Sequence, residues 1–332
     1  MSTSLTVESI LGLSRNFMES RILLTAAELN LFALLHHRPL SAADVAGRLQ
    51  GNLRAVTILL DALAAMGLLR KREETYQCVP PVSNFLSENQ PDSVLPMILH
   101  AAHLWRRWSK LTEVVGDSKS AAEEDAPPSQ KSKELQAFIG AMHAIAAPLA
   151  PLMVKAVRAE KSQMFLDVGG ASGTYAIAFL EANPQMRATL FDRPAVMEMA
   201  QERLEKANLL HRVNLVAGDF YEDDLPMGHD LAFVSAIIHQ NTPEQNLDLF
   251  KRVFRSLLPG GRIVIRDHIM DPERTHPPSG AIFAVNMLLA TAGGNTYTFE
   301  EIQAGLIQAG FGHVNLIQKG KQMDGLIEAF KP

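Results

Sequence analysis

The sequence predicts a mixed α/β protein in which a Rossmann-like, doubly wound sheet follows a smaller all-α domain of winged-helix type. Three observations support this prediction. The chain has 332 residues, enough for about two domains. Its first 90 residues show the periodicity of helices followed by a hairpin. Beyond residue 163, short apolar runs alternate with helical segments, which is typical of parallel strands connected by helices.

The N-terminal domain is predicted from a helix cap, apolar spacing and one hairpin. Ser41-Ala-Ala-Asp44 has the pattern of a capping box, and the next helix keeps its apolar residues on one face until Gly67. Two short strand-like segments follow, in the order of a winged helix. We therefore divide the chain into a winged-helix domain at 1–97, a helical linker at 98–158 and an α/β domain at 159–332.

Winged helices often bind DNA, but the charge of this domain argues against that role. Residues 1–90 carry eight basic and eight acidic side chains, and the helix that would read the DNA offers only Arg54. The whole chain has a net charge of −5, which also disfavours an anionic membrane. We expect a packing or dimerisation module, with no nucleic-acid partner and no membrane partner.

The linker is expected to combine a loop with an interrupted helix. The polar segment 117–133 is rich in Ser, Ala, Glu and Pro, which predicts an exposed loop. A helical stretch at about 134–158 contains Pro148 and Pro151, and we expect these residues to interrupt it because proline has no N–H to donate.

Composition also limits the compartment and the metal chemistry. The N-terminus lacks the basic and apolar regions of a signal peptide, so we expect a cytoplasmic protein. Cys78 is the single cysteine, which excludes a disulfide framework and a Cys-rich zinc site. Since His, Asp and Glu do not cluster at ligand spacing, we expect no metal.

The α/β domain is predicted from its apolar runs and from helix caps. Strands are expected near 164–168, 188–191, 213–216, 231–237, 262–265, 312–318 and 323–330. Helices are expected near 174–182, 194–207, 243–258 and 299–310. Thr242-Pro-Glu-Gln245 and Thr298-Phe-Glu-Glu301 mark the starts of the last two helices.

A glycine-rich loop, Asp167-Val-Gly-Gly-Ala-Ser-Gly173, connects the first of these strands to a helix. The dinucleotide fingerprint requires a third glycine three residues after the second, and no register that begins at Gly169 or Gly170 supplies it. S-adenosylmethionine (SAM) has no pyrophosphate and is the other common ligand of such a loop. The loop therefore favours SAM.

Acidic residues lie at or just after the ends of three consecutive predicted strands. Asp167 suits the ammonium group of SAM, and Asp192 suits the two ribose hydroxyls. Asp219 can accept from the adenine amino group while Phe220 packs on the ring face. Their shared position at strand ends supports a SAM site.

Four segments resemble one known family: 167–173, Phe191-Asp-Arg-Pro194, Gly218-Asp-Phe220 and Leu258-Pro-Gly-Gly261. They are similar to the SAM-dependent O-methyltransferases of the caffeic acid and hydroxyindole type, and the resemblance covers the whole chain. It implies a seven-stranded class I methyltransferase sheet, a homodimer formed through the winged-helix domain, SAM as cofactor and S-adenosylhomocysteine (SAH) as product. It also places Gly169, Gly170, Gly173 and Ser235 among the cofactor-binding residues. Ala171 stands where most members have glycine, and we expect its φ to be negative because it carries a Cβ.

The resemblance implies a catalytic pair. We predict that His239 ends the fourth strand and that Asp267, 28 residues later, ends the fifth. In the family, a histidine at this place is the general base and the acidic residue orients it. A phenol has a pKa near 10, so a base is needed near neutral pH. We expect the neighbouring His268 to point to the opposite face and to be structural.

The resemblance also suggests an acceptor pocket to which the linker contributes. Its predicted residues are Phe138, Met142, Phe283, Asn286 and Met287. Two departures from the family occur: His239-Gln-Asn241 replaces the common His-Asp-Trp, and the loop at 293–298 has no acidic residue.

Other functions stay open from the sequence alone. Some relatives use bound SAM as an electrostatic element in decarboxylation or hydroxylation, and the altered loop at Asn295 keeps that function open. A SAM-sensing regulator is the second alternative, although the neutral winged helix disfavours it. The sequence does not identify the acceptor, nor does it distinguish O-methylation from N-, C- or S-methylation.

Overall fold

The computed structural model describes residues 5–87, 90, 93–117 and 128–332. The chain forms two compact units. The first consists of Met1–Arg106 and Ala126–Ala144, and the second of Arg107–Asp125 and Ile145–Pro332.

The first unit contains the predicted order of helices and hairpin. Its helices are α1 (Val7–Arg15), α2 (Phe17–Glu28), α3 (Leu31–Leu34), α4 (Ala42–Leu49), α5 (Leu53–Ala65), α6 (Pro80–Phe85) and most of α7 (Leu95–Trp108). Its strands are β1 (Leu40–Ser41), β2 (Leu69–Arg72) and β3 (Thr75–Cys78). They form an antiparallel sheet with β3 in the middle. The capping box at Ser41 is confirmed, since the side chains of Ser41 and Asp44 each accept from the other residue's backbone N–H.

Two further helices follow, α8 (Leu111–Asp117) and α9 (Pro128–Val157). The loop predicted at 117–133 is wrong at Asp117, which ends α8, and again from Pro128 onward, because that proline begins α9, where a missing N–H costs nothing. Residues 118–127 lie outside the described part of the chain. The predicted interruption is also wrong, since α9 continues through Pro148 and Pro151.

The C-terminal part of α9 belongs to the core of the second unit. Ala150, Met153 and Val157 are buried there, and their burial supports the helix despite its prolines. Within α9, Phe138–Val157 is long and apolar enough to cross a membrane by length and composition. Of the apolar window within this segment, 28% is buried inside the protein.

The second unit is built on a seven-stranded sheet. Its strands are β4 (Met164–Val168), β5 (Arg187–Asp192), β6 (Val213–Ala217), β7 (His229–Ser235), β8 (Leu257–Asp267), β11 (Gly312–Gln318) and β12 (Gly325–Phe330). The short strands β9 (Ile269–Met270) and β10 (Tyr297–Thr298) pair separately. The helices are α10 (Thr174–Ala182), α11 (Pro194–Lys206), α12 (Pro243–Ser256), α13 (Pro278–Ala290) and α14 (Phe299–Gln308). Two 3₁₀ turns lie at Leu210–Arg212 and Ile238–Gln240.

The strand order is β6-β5-β4-β7-β8-β12-β11. The first five strands are parallel, whereas β12 is antiparallel to β8 and β11 is antiparallel to β12. This confirms the predicted doubly wound α/β fold. Because β4 and β7 are neighbours and the chain winds outward from them in opposite directions, their carboxyl ends border the crevice in which open α/β sheets bind ligands.

Both faces of the sheet are buried, which explains the continuous apolar runs in the sequence. Along β8, Ile263 and Ile265 belong to one core cluster and Val264 belongs to the other. The helix caps predicted at Thr242 and Thr298 are both present as capping boxes. The fold thus places the ends of five parallel strands along one edge, where the candidate site lies.

Candidate active site

The glycine loop after β4 packs closely against β5 and against the segment that follows β7. Gly169 has a φ of 68°, and a Cβ there would lie 2.6 Å from Cδ1 of Ile237. A Cβ on Gly170 would lie 2.7 Å from Cγ of Leu190 and 2.8 Å from Cγ of Asp167. These positions therefore accept only glycine. Gly173, with a φ of 74°, is the N-cap residue of α10.

Ala171 in this loop has a φ of 45°, so the expected negative φ is wrong. A residue with a Cβ costs about 1–2 kcal/mol in this left-handed region. Its N–H donates to Oδ2 of Asp192 at 2.8 Å. A hydrogen bond to a charged group contributes about 1.5–3 kcal/mol, which is enough to offset the strain.

Asp192, the last residue of β5, fixes the loop and stays available to a ligand. Its Oδ1 accepts from the Arg193 N–H at 2.7 Å, while its Oδ2 holds Ala171. Each carboxylate oxygen has a further lone pair. Burial raises the pKa of Asp192 above its ordinary value. The carboxylate is therefore oriented by two backbone donors and can still accept hydroxyl groups.

Asp167 is a deeply buried acid at this edge, with 2% of its surface exposed. Its Oδ2 has no hydrogen-bond partner among the described residues. Burial, together with the nearby Asp192, raises its pKa to about 7. A buried carboxylate without a partner is costly, and a cationic ligand group would relieve that cost.

Arg266 brings a positive charge to the same edge, and the sequence interpretation missed it. It is buried, its Nη1 donates to Oγ of Ser235 at 3.1 Å, and its Nε has no partner within the described chain. Its guanidinium lies 5.5 Å from the ring centroid of Tyr175. Burial raises the pKa of Tyr175, while the nearby Arg266 lowers it and Asp167 raises it further. An arginine directly after the apolar run 263–265 was the available signal.

These two charges fit a ligand that carries both an ammonium and a carboxylate. Asp167 Oδ2 suits the ammonium, and the partly unpaired guanidinium of Arg266 suits the carboxylate. The methionine end of SAM has this chemistry, so the residues present fit the predicted cofactor.

Asp219 and Phe220 follow β6 and lie at the same edge. Gly218 donates its N–H to the carbonyl of Asp192, and a Cβ on Gly218 would lie 2.4 Å from Cζ of Phe191. Phe220 is buried, and a Cβ on Gly169 would lie 3.6 Å from its Cε1. The structure therefore brings this loop to the glycine loop, as the sequence predicted.

His239 and Asp267 form the predicted pair. Nδ1 of His239 lies 3.0 Å and 2.9 Å from Oδ1 and Oδ2 of Asp267, and both residues are buried. Because the carboxylate accepts, Nδ1 carries a proton, and in the neutral imidazole the lone pair then lies on Nε2. Oδ1 also accepts from the N–H of His268 at 2.8 Å, which fixes the carboxylate.

The predicted strand position of Asp267 is confirmed, since it ends β8, but that of His239 is wrong. Strand β7 ends at Ser235, because Ala236 has a φ of 57° and turns the chain out of the sheet. His239 lies on the 3₁₀ turn that follows. It still reaches Asp267 because the turn stays at the edge of the sheet.

His268 does not point to the opposite face, so that expectation is wrong as well. The Phe283 ring on α13 lies 4.8 Å from the His239 ring, at 86°, and 5.1 Å from the His268 ring. The expectation assumed that side chains alternate between the two faces of the sheet. That alternation holds only within a strand, and β8 ends at Asp267, one residue before His268. Burial lowers the pKa of His268.

The predicted acceptor residues fall in both units. Asn286 on α13 accepts at its Oδ1 from Nε1 of Trp108 at 3.0 Å, which leaves its Nδ2 as a donor. Trp108 was missed, because nothing in its local sequence links it to α13. Met287 is buried on the same helix. Phe138 and Met142 belong to the first unit, where Phe138 packs 5.2 Å from the ring of His100.

The loop at 293–298 contacts the backbone of the turn that carries His239. A Cβ on Gly294 would lie 2.5 Å from the carbonyl oxygen of His239. Among the described residues, no three His, Cys, Asp or Glu side chains come together as a metal site.

Comparison with known proteins identifies the family. A model of the O-methyltransferase domain matches residues 126–312, and a model of the O-methyltransferase dimerisation domain matches residues 11–88. This chain belongs to the O-methyltransferase family. The predicted resemblance is thereby confirmed, and the chain is a SAM-dependent O-methyltransferase.

Curated relatives and solved structures match nearly the whole chain. The tetracenomycin polyketide synthesis 8-O-methyltransferase TcmO of Streptomyces glaucescens is 32% identical over 91% of this chain and 90% of its own length. Acetylserotonin O-methyltransferase of Gallus gallus is 27% identical over 95% of this chain and 94% of its own. The solved structure of PigF with SAH is 25% identical, with a TM-score of 0.89, and covers 98% of this chain and 100% of its own.

We predict that Asp167 lowers the free energy of unfolding of the unliganded protein progressively as the pH rises from about 4 to about 7. The raised pKa of about 7 means that the folded state keeps a proton that the unfolded state releases near 3.8, so rising pH favours unfolding in this window. Asp167→Asn keeps the shape without the charge. Its gain in melting temperature over wild type should be larger at pH 8 than at pH 5 in differential scanning calorimetry.

The matched control is Asp248→Asn on α12, where the side chain is 70% exposed. Its melting temperature should follow wild type at both pH values. If Asp167→Asn shows the same pH dependence as wild type, Asp167 does not bear the cost assigned to it.

Proposed function

We propose that this enzyme transfers a methyl group from SAM to a hydroxyl of a small aromatic or conjugated acceptor. The observation that supports it most is the buried His239–Asp267 pair, at the sheet edge that also holds the cofactor residues. Relatives point to the same chemistry. They include TcmO, a 3-hydroxy-5-methyl-1-naphthoate 3-O-methyltransferase of Streptomyces sahachiroi and acetylserotonin O-methyltransferases.

The cofactor is held in this proposal from three sides. The backbone at Gly169, Gly170 and Gly173 allows close approach. Asp192 accepts from the ribose hydroxyls, and Asp219 with Phe220 holds the adenine. Opposite charges hold the methionine end: Asp167 pairs with its ammonium, while Arg266, supported by Ser235, pairs with its carboxylate.

SAM supplies an electrophilic methyl group on a sulfonium, and loss of this methyl leaves neutral SAH. Nε2 of His239 accepts the proton of the acceptor hydroxyl as the oxygen attacks the methyl carbon. Asp267 accepts from Nδ1–H and stabilises the imidazolium that forms, and the proton then leaves to solvent. Both side chains are buried, which limits competing contacts with water.

The acceptor is proposed to contact α13. Phe283 packs against His239 and offers an aromatic surface beside the base. Asn286 can donate from Nδ2 because Trp108 already occupies its Oδ1. Met287 is proposed as an apolar contact. Phe138 and Met142 stay predictions from the sequence.

The same proposal includes a homodimer formed by the first unit. The dimerisation-domain model covers residues 11–88. Helix α1 has no buried residue in a single chain, and its apolar residues Val7, Ile10 and Leu13 are exposed. A second copy of this chain would cover this face. A cytoplasmic location remains a prediction from the sequence.

We predict that Asp192→Ala weakens SAM binding by about 1.5–3 kcal/mol, the contribution of hydrogen bonds to a charged group. Isothermal titration calorimetry with SAM and with SAH measures this loss. Asp248→Ala, which removes an exposed carboxylate from α12, is the control and should bind as wild type does. Unchanged affinity in Asp192→Ala would remove this residue from the ribose site.

We predict that His239→Ala lowers kcat by roughly 10²–10⁴, the usual contribution of a positioned base. SAM affinity should be kept, since His239 faces the acceptor in this proposal. Asp267→Asn should lose less, because an amide can still hold the ring. The assay uses methyl-labelled SAM with a phenol, flavonoid and quinol library, and mass spectrometry identifies the product.

His211→Ala is the control, since this histidine is exposed and lies on the turn before β6. It should turn over as wild type does. Nearly full turnover by His239→Ala on a hydroxyl acceptor would exclude the general-base role. Proximity alone, or an acceptor that is already ionised, would then account for the rate.

A further inference from the structure

Asn241, directly after the turn that carries His239, is the centre of a buried polar network. No part of it is exposed. Its Oδ1 accepts from the Tyr221 hydroxyl, and its Nδ2 donates to Oδ1 of Asn246 at 2.9 Å. Its backbone carbonyl accepts from the Tyr297 hydroxyl. The amide therefore uses both its acceptor and its donor at once.

One arm of this network ends beside His239. Asn246 lies on α12 and is buried, and its Nδ2 donates to the carbonyl of Ile238 at 3.0 Å. Since Asn246 accepts from Asn241 at Oδ1, its amide is oriented with Nδ2 toward Ile238. Ile238 immediately precedes His239, so this bond holds the backbone from which the imidazole projects.

The other arm ends in the loop proposed to hold adenine. The Tyr221 N–H donates to Oδ1 of Asp219 at 2.9 Å, and its ring centroid lies 4.7 Å from that of Phe220. Its carbonyl accepts from Nη2 of Arg252 at 2.8 Å, which ties the loop to α12. A movement of Asp219 or Phe220 would therefore also move Tyr221 and its hydroxyl.

We propose that Asn241 is a positioning residue that couples occupancy of the adenosine end of the cofactor site to the placement of His239. A displacement of Tyr221 reaches Ile238 through two amides, because each hydrogen bond in this buried chain orients the next. The residue types are specific: leucine at 241 would lose both bonds, and aspartate would lose the donor. This inference rests on the proposed function, because it assigns adenine to Asp219 and Phe220.

The test follows the His239 ring while a ligand occupies only the adenosine end. Adenosine has no methionine part, so it leaves the region beside His239 untouched. In full-length protein labelled with ¹⁵N-histidine, the His239 signals are assigned by their loss in His239→Gln. Saturating adenosine should shift the His239 ring ¹⁵N signals in wild type.

In Tyr221→Phe, adenosine should still bind within about threefold of the wild-type Kd, since no hydrogen bond to the nucleoside is assigned to this hydroxyl. The shift at His239 should fall to a small fraction of the wild-type shift. The side chain is partly exposed, so the variant should stay folded, and its melting temperature verifies this. Asn246→Ala, which breaks the other arm, should lose the shift as well.

Tyr76→Phe is the matched control. It removes a tyrosine hydroxyl that bonds to Asp61 in the first unit, outside the network. It should keep the full shift. A merely structural role for Tyr221 would lower the melting temperature and leave the His239 response to adenosine unchanged.

An unchanged shift in Tyr221→Phe, or no shift in wild type despite calorimetric binding of adenosine, would overturn the coupling alone. Absence of binding by adenosine and by SAH would overturn both the coupling and the proposed cofactor site.

Discussion

The hydrogen bond between His239 and Asp267 is the contact on which the proposed chemistry depends. Asp267 is held by the end of β8 and by the N–H of His268, and it determines which imidazole nitrogen carries the proton. Without that carboxylate, the ring of His239 would have no fixed tautomer. The turn that carries His239, the loop at 293–298 and the packing of Phe283 all support this one contact.

At the sheet edge proposed to bind the cofactor, some buried polar groups lack a full set of hydrogen-bond partners among the described residues. Asp192 is oriented by two backbone donors, whereas Asp167 and Arg266 each keep a buried atom that has no partner among the described residues. Such groups cost stability in the free protein, and a zwitterionic ligand would recover that cost on binding. The same groups that lower the stability of the free protein therefore favour binding of the ligand.

Features encoded in local sequence were predicted well. The capping boxes at Ser41, Thr242 and Thr298 depend on residues three positions apart, and the buried strands depend on continuous apolar runs. The order of strands and helices then followed from chain topology. The acids Asp167 and Asp192 were found because the ends of parallel strands meet at one edge.

Features that depend on tertiary context were not predicted. The positive φ of Ala236 and of Ala171 is imposed by contacts from other strands, so the end of β7 and the loop conformation were missed. The continuity of α9 through two prolines depends on core burial. Arg266 and Asn241 acquire their roles only when β7, β8 and α12 come together, since their hydrogen-bond partners are distant in the sequence or on another element.

The proton position on His239 tests the proposed general-base role most directly. Nitrogen-15 NMR of the histidine-labelled protein at neutral pH distinguishes a protonated ring nitrogen from one with a free lone pair. We expect a proton on Nδ1 and none on Nε2, with this state lost in Asp267→Ala. A proton on Nε2 in the wild-type protein would leave no lone pair for the acceptor hydroxyl and would contradict the proposed base.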